Sequence, residues 1–282
     1  MRLAPIAVSF ALVSLWAAAA PPGSSKSNRR RAPVAKTQPP PAVAEAPVAT
    51  VAPLPPAPQV IDRLNNLFRA DSSDARLTMK VVTDRYNREL VLQSWTRGKK
   101  EALVVVRGPA REAGTATLRS AEGLWSYAPR ADRLVRIPST LLSDSWMGSH
   151  FTNDDLMRET DLTQDYEASL EWKGEGGKRL LQATLKPKPG TPVVWSSVVY
   201  LLEPEDSLPL RADYYDGDTI ARTLTFADAR KVGGRRVPFT LQMVPASKPA
   251  ESTRIEYQEV TFDVKVDPGL FTQRGLRWAA KQ

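Results

Sequence analysis

The chain has 282 residues with 39 Lys and Arg, 31 Asp and Glu, one His and a formal net charge of +8, and it contains no cysteine. The absence of cysteine excludes disulfides, thiolate metal sites and a cysteine nucleophile. Residues 1–58 hold six of the bases and one of the acids, which leaves 33 bases against 30 acids and an ordinary surface charge of +3 on the remainder. We therefore expect no nucleic-acid partner.

The N-terminus has the pattern of an export signal. Arg2 precedes an apolar run from Ile6 to Trp16, and small residues follow up to Ala20. This order of charge, apolar core and small residues is typical of a secretory signal peptide, and the run is short for a membrane-spanning helix. We predict that residues 1–20 are a signal peptide and that the protein is exported.

Residues 21–58 are rich in Pro, Ala and Val and carry a basic cluster at Lys26 and Arg29–Arg31. Such a composition cannot bury a core, which predicts a disordered, extended tether. The basic cluster is either ordinary solvated charge or a contact for acidic lipid headgroups or peptidoglycan. The folded region is then a single domain at residues 59–282, which we expect to be a monomer.

Periodicity predicts the elements of this domain. In Gln59–Arg69 the apolar residues recur every three or four positions, which indicates an amphipathic helix. From Leu77 onward, apolar and polar residues alternate in short runs separated by turn residues, which indicates eleven to thirteen β-strands in sequential hairpins. Asp267–Phe271 is expected to form a short terminal turn or helix. Because a long antiparallel sheet must curl, we predict a mainly β fold, an unclosed β-barrel covered by short helices.

A different pattern interrupts the strands between Leu141 and Tyr166. Ser139 is a candidate cap for a helix over Thr140–Trp146, and Thr152, with Asp155 three residues on, has the spacing of a capping box. Apolar side chains surround Gly148, which we interpret as a hinge. The stretch is either a plug that fills the core or a movable cover over an apolar cavity.

No catalytic or metal-binding pattern emerges. His150 is the only histidine, and we interpret it as a polar loop residue because no Gly-x-Ser-x-Gly motif supplies a nucleophile. A carboxylate pair for glycoside hydrolysis stays open, although no pair is singled out. The acids of the middle stretch lack the alternating spacing of a calcium loop; they are Asp144, Asp154, Asp155 and Asp161. We expect no enzyme activity, metal or cofactor.

Large apolar residues in and beside the strands are either ordinary sheet core or the lining of a cavity for a greasy ligand. Met side chains near the cover would adapt to ligands of varied shape. The candidate lipid-binding and cover residues are Trp95, Trp125, Tyr127, Trp146, Met147, Gly148, Phe151 and Leu156.

Eight segments carry a family resemblance: Leu124–Pro129 (LWSYAP), Val135–Pro138 (VRIP), Ser145–Ser149 (SWMGS), Phe151–Leu156 (FTNDDL), Asp165–Tyr166, Pro209–Tyr215 (PLRADYY), Val237–Pro238 and Leu270–Thr272 (LFT). Together they resemble the outer-membrane lipoprotein-sorting protein family, which is related to the LolA and LolB lipoprotein carriers. The resemblance extends from about residue 70 to Gln282.

The resemblance implies a periplasmic carrier in a Gram-negative-type envelope, with an apolar barrel cavity for the acyl chains of lipoproteins or other lipids. It also implies exchange with an inner-membrane ABC-type transporter and an arginine that holds the lid shut, for which Arg76, Arg85 and Arg88 are in range. The alternative is a non-catalytic envelope adaptor or structural module that binds a protein partner such as a membrane transporter.

Overall fold

The computed structural model describes residues 53–68, 70–98, 100–157, 162–174, 179–191 and 193–282. The predicted signal peptide, residues 1–20, lies outside the described residues, as does the predicted tether up to residue 52. Helix α1 spans Ala57–Asn66, so the predicted helix is confirmed with its start two residues earlier than expected. The chain enters it through Pro56 in an extended conformation, with no side-chain cap.

Thirteen β-strands form one antiparallel sheet within the described residues. They are β1 (Ser72–Val82), β2 (Asn87–Arg97), β3 (Glu101–Gly108), β4 (Ala116–Ser120), β5 (Gly123–Ala128), β6 (Arg133–Ile137), β7 (Tyr166–Lys173), β8 (Leu180–Pro187), β9 (Ser197–Leu202), β10 (Pro209–Asp216), β11 (Thr219–Val232), β12 (Arg235–Pro245) and β13 (Ser252–Phe262).

The strand order is β6-β5-β4-β3-β2-β1-β13-β12-β11-β10-β9-β8-β7. Every pair is a sequential hairpin except β1 with β13, whose register includes Met79 opposite Ile255. Strands β6 and β7 are the two free edges and do not pair with each other, so the predicted mainly β, unclosed architecture is confirmed.

Alternation along the strands defines two faces. The inner face carries Met79, Leu92 and Leu185, and the outer face carries Leu103 and Leu118, all of them nearly inaccessible to solvent. On the inner face, side chains from the six neighbouring strands β7–β12 belong to one apolar cluster. Because neighbouring strands lie about 4.8 Å apart, a flat sheet would spread these side chains too widely, and the sheet must curl.

The segment between the two edge strands is less helical than predicted. It contains the 3-10 turns Ser139–Leu141 and Trp146–Gly148, helix α2 (Asn153–Met157) and helix α3 (Leu162–Asp165). The prediction of a helix over Thr140–Trp146 capped by Ser139 is wrong, because Ser145 is extended and forms a β-bridge with Thr152.

The last helix, α4 (Gln273–Lys281), was not predicted, although the turn before it was. Thr272 caps it, since its Oγ1 accepts a hydrogen bond from the Gly275 amide at 3.0 Å. Leu276 and Ala279 pack on the outer face against Leu103 and its neighbours. Helix α1 covers the inner face instead, where Val60 and Ile61 are buried.

Leu276 is fully buried between α4 and the sheet, which makes its contribution to stability measurable. We expect Leu276→Ala to lower the free energy of unfolding by about 3 kcal/mol, since a large buried side chain is replaced by a cavity. The exposed Arg274→Ala in the same helix is the matched control and should change it by less than about 0.5 kcal/mol. Urea denaturation of both variants measures the difference, and equal effects would show that α4 is not docked as described.

Candidate functional site

Residues 138–157 and 162–165, which we call the cover, lie over the inner face of the sheet. The cover begins at the end of β6 and finishes at the start of β7, so it bridges the two free edges. Its capping box is present as predicted: the Thr152 amide donates to Asp155 Oδ2 at 2.7 Å, and the Asp155 amide donates to Thr152 Oγ1 at 3.2 Å.

The hairpin at Trp146–Gly148 is fastened to the β1–β2 hairpin. The Tyr86 hydroxyl donates to the Gly148 carbonyl at 2.6 Å, and Arg88 Nη1 donates to the Met147 carbonyl at 2.7 Å. Gly148 has a φ of +69°, a backbone conformation that favours glycine, and a Cβ there would lie 2.7 Å from the Tyr86 hydroxyl oxygen and displace that side chain. Trp146 lies buried below, with Nε1 3.1 Å from Thr117 Oγ1.

His150 joins the same hairpin to β13 and has partners that the sequence did not reveal. Its backbone amide donates to Thr253 Oγ1 at 2.9 Å, and its Nδ1 lies 2.8 Å from the same oxygen. Its Nε2 lies 3.1 Å from Glu251 Oε2. Glu251 also accepts from Lys248 Nζ at 2.7 Å, and hydrogen bonds from Lys248 and His150 lower the pKa of Glu251 to about 2.

An ion pair holds α2 against the sheet, and we call it the latch. Arg222 of β11 donates through Nη1 to Asp155 Oδ2 at 2.8 Å and through Nη2 to Asp155 Oδ1 at 2.6 Å. The Arg222 side chain is 6% exposed and the Asp155 side chain 21% exposed. A bidentate pair of this kind combines charge with fixed geometry.

Two aromatic rings support the Arg222 guanidinium. Its Cζ lies 4.4 Å from the centre of the Trp195 ring and 4.5 Å from that of Tyr214. Burial opposes the positive charge, but the hydrogen bonds and the charge of Asp155 more than compensate, so the pKa of Arg222 is raised. The Arg222 guanidinium of the latch therefore keeps its positive charge.

Two adjoining cavities lie under the cover. The first has a volume of about 310 Å³ and is lined by Trp146, Phe151, Asp155, Leu156, Leu162, Tyr166, Trp195, Val198, Tyr200, Tyr214, Met243 and Ile255. The second, of about 280 Å³, extends toward α1 and is lined by Leu64, Asn65, Leu67, Phe68, Asp155, Leu162, Tyr200, Pro209, Leu224, Phe226 and Leu241.

Both cavities share Asp155, Leu162 and Tyr200 as lining residues. The polar atoms at this boundary are few: the latch carboxylate and the Tyr200 hydroxyl, which hydrogen bonds with Tyr214. Burial raises the pKa of Tyr214 to about 12, so this ring stays neutral. The first cavity is thus mainly apolar, whereas the second is lined by polar and apolar surface in similar amounts, and the ion pair and the neutral hydroxyl pair lie where the two meet.

The predicted site residues divide between the two faces. Trp146, Phe151 and Leu156 line the first cavity, and Met147 packs beside them with Gly148 at the hairpin tip.

The other three candidates lie on the outer face. Trp125 and Tyr127 pack in the cluster beneath α4, and Trp95 lines a polar cleft of about 390 Å³ beside them. The expectation that these three face the cavity is corrected, because their strand positions alternate with the inward ones and α4 covers the face they occupy.

Sequence reasoning missed Arg222, Trp195 and Tyr200. Of the arginines considered for a lid contact, only Arg88 reaches the cover; Arg85 is exposed in a turn and Arg76 faces the outer cleft. A usable signal existed in β11, where Leu224 and Phe226 occupy inward positions and Arg222 continues the same alternation with a charged side chain. A charge at an inward position points to a buried partner.

Within the described ranges, no group of three or more His, Cys, Asp or Glu side chains could hold a metal ion. No helix in this part of the chain is long and apolar enough to cross a membrane.

Substitution of Asp155 tests whether the latch holds α2 in place. Asp155→Asn keeps an oxygen for the Thr152 amide but removes the charge that compensates Arg222, so the closed position of α2 should lose about 3 kcal/mol. We expect hydrogen exchange of the amides in residues 150–157 to accelerate by roughly a hundredfold. Asp144→Asn, an exposed acid of the same cover, is the matched control. Equal exchange in both variants would contradict the latch.

Substitution of Glu251 tests how its ionisation contributes to the stability of the fold at different pH values. Because its pKa falls from 4.5 to about 2 on folding, its ionised form stabilises the fold above pH 4.5, and this stabilisation is lost as the pH falls toward about 2. Glu251→Gln should therefore lower the urea midpoint at neutral pH, and the difference should vanish near pH 2. The exposed Glu259→Gln, on the strand β13 that follows Glu251, serves as control. A difference that persists in acid would contradict this role.

Comparison with known proteins places the fold. A family model described as that of an uncharacterized protein matches residues 98–278, more than half of the chain. No curated protein matches the sequence.

Several solved structures share the architecture. A DUF1329 family protein from Desulfovibrio piger is 22% identical, with a TM-score of 0.70 over 78% of this chain and 97% of that one. A domain named for outer-membrane lipoprotein sorting, from Vibrio parahaemolyticus, is 20% identical, with a TM-score of 0.66 over 78% and 97%. A LolA superfamily protein from Nitrosomonas europaea is 19% identical, with a TM-score of 0.66 over 79% and 100%.

At these identities the similarity to solved structures shows a shared fold, and the resemblance inferred from the sequence is confirmed. The chain belongs to the family of uncharacterized proteins whose model it matches, and it has the fold of the LolA superfamily and of outer-membrane lipoprotein-sorting proteins.

Proposed function

We propose that the protein is a periplasmic carrier that holds acyl chains of lipoproteins or other lipids under its cover and passes them between components of the envelope. The observation that carries the proposal is the mainly apolar cavity under the cover, which adjoins a second, more polar cavity beside the Arg222–Asp155 ion pair. The fold shared with lipoprotein-sorting proteins supports the same reading, and so does the predicted export signal.

Burial of an acyl chain supplies the binding energy. Each methylene transferred from water gains about 0.8 kcal/mol, so even a partly enclosed chain gains several kcal/mol. The lining supplies rings and branched side chains such as Trp195, Val198 and Ile255, and Met243 adapts to ligands of different shape. Binding of this kind needs no catalytic residue, which agrees with the absence of a recognisable catalytic pattern in the sequence.

Opening of the latch enlarges the space. Asp155 and Leu162 lie on α2 and α3 and line both cavities, so an outward movement of these helices would join the two volumes into one. A bound acyl chain would then take the place of the contacts that the cover makes with the sheet. The open state would lose the Arg222–Asp155 ion pair and gain the burial of the ligand. Gly148 stays our candidate for the hinge, and an inner-membrane ABC-type transporter stays our candidate for the donor.

Two substitutions on neighbouring positions of β9 test the proposal. Val198→Trp fills the first cavity, because Val198 faces inward and lines it. Val199→Trp places the same ring on the opposite face and is the matched control. We expect Val198→Trp to weaken the binding of a fluorescent fatty acid at least tenfold, with Val199→Trp close to the parent protein.

Lipid recovered from the protein gives a second readout. We expect organic extraction of the full chain purified from its host to yield acyl lipid by mass spectrometry, and less of it from Val198→Trp. A lipid-free protein that also fails to bind the probe would overturn the carrier proposal and favour the envelope adaptor, in which the covered sheet is a filled core.

A further inference from the structure

Helix α4 presents a cationic face with a tryptophan at its centre. Arg274, Trp278 and Lys281 follow the i, i+4, i+7 spacing, and Arg277 lies at the edge of the same face, within an arc of about 100°. The opposite face holds Leu276, Ala279 and Ala280, which dock on the sheet. The helix is thus anchored by one side and offers the other to solvent.

The cations of this face form no ion pair with the part of the protein that the structure describes. Most other arginines of the sheet are paired, as Arg236 is with Glu203 and Arg254 with Glu256. Among the residues that the structure describes, none forms an ion pair with Arg274, Arg277 or Lys281, and α4 itself contains no acid. The face therefore carries three uncompensated positive charges.

Trp278 adds an apolar surface to that charge. It is 58% exposed, more than any other large hydrophobic side chain in the described part of the chain. An exposed indole surrounded by Arg and Lys is the arrangement found where proteins meet the headgroup layer of a bilayer, since the ring partitions into the interface and the bases contact anionic lipid.

The surroundings extend the positive surface. The 3-10 turn Pro129–Ala131 lies beside the C-terminal end of α4. Gly114 is close to both: a Cβ added to it would be 2.7 Å from the Ala280 carbonyl oxygen and 3.3 Å from the Pro129 side chain. This turn exposes Arg130. One acid, Asp132, follows it, and its carboxylate already accepts a hydrogen bond from the Tyr127 hydroxyl.

From these observations we propose that the outer face of α4 is a docking surface for membranes that contain anionic lipid, with Trp278 in the headgroup layer and Arg274, Arg277 and Lys281 on lipid phosphates. The surface is separate from the cavity and stands whatever the cavity holds. Each base near an anionic surface strengthens partitioning roughly fivefold, so three bases and one ring give weak, reversible attachment. Reversibility suits a protein that visits a membrane and leaves it.

The absence of cysteine allows a reporter at the surface itself. Gln282→Cys, at the exposed residue after α4, carries an environment-sensitive fluorophore on the full chain. We expect its emission to shift to the blue with vesicles of phosphatidylcholine and phosphatidylglycerol, to stay unchanged with phosphatidylcholine alone, and to revert in high salt. The same label at Asp218→Cys, in the β10–β11 turn, should not respond.

Substitutions then assign the contact to α4. Neutralising Arg274, Arg277 and Lys281 to Gln should weaken vesicle binding on the order of a hundredfold, and Trp278→Ala should abolish the blue shift while part of the salt-sensitive binding stays. All of these side chains face solvent, so the unfolding curves should match the parent protein and show that lost binding is not lost folding.

Three results would overturn the proposal. The label at residue 282 could stay silent while the chain still sediments with anionic vesicles, which would move the contact to another part such as the basic cluster at residues 26–31. The chain could fail to bind vesicles at all. The label could respond to an acidic polypeptide and not to lipid, which would make α4 a protein-binding surface.

Discussion

The sheet carries apolar side chains on both faces, and this constraint determines where every helix lies. Strand β3 shows it most simply, because Leu103 and Val105 point outward while Val106 points inward, and all three are inaccessible to solvent. An open sheet of this kind has to be covered twice. Helix α4 covers the outer face of β3–β5, and α1 with the cover segment closes the inner face.

The inner face is covered incompletely, and the gap is where the cavities lie. A sheet that closed into a small barrel would fill its interior with its own side chains. Here the free edges β6 and β7 stay apart, and the connection between them folds back as the cover. The cover is fastened at its tip by Tyr86 and Arg88, at His150 by β13 and at α2 by Arg222, and these polar contacts add to the apolar packing of its buried side chains.

The ion pair between Arg222 and Asp155 affects how the cover is held. When an ion pair is buried, each charged group loses its hydration and gains its partner, and the two effects are of similar size. The pair therefore fixes the position of α2 more than it stabilises the fold. Arg222 is further compensated by the faces of Trp195 and Tyr214 and by a hydrogen bond from Nη1 to the His150 carbonyl at 3.3 Å, while its Nε has no partner among the described residues. A cover held this way is therefore fixed in one geometry by its polar contacts.

The sequence by itself determined the local and repetitive features of the protein. Periodicity of two identified the strands, periodicity near 3.6 identified α1, and the capping box identified the start of α2, because each of these depends on neighbours only a few residues apart. The number of strands then predicted a curled, unclosed barrel, and the family resemblance implied the same fold. The cover residues Trp146, Phe151 and Leu156 were found as well, since they stand in a segment that breaks the strand pattern.

Only the tertiary structure decided which face each strand residue occupies and which distant residues meet. Trp95, Trp125 and Tyr127 look like cavity residues until α4 is seen to cover the face they share. Arg222 meets Asp155 across 67 residues of sequence, and no short-range pattern encodes that distance. Face and partner follow from strand register and sheet curl, which are properties of the assembled sheet.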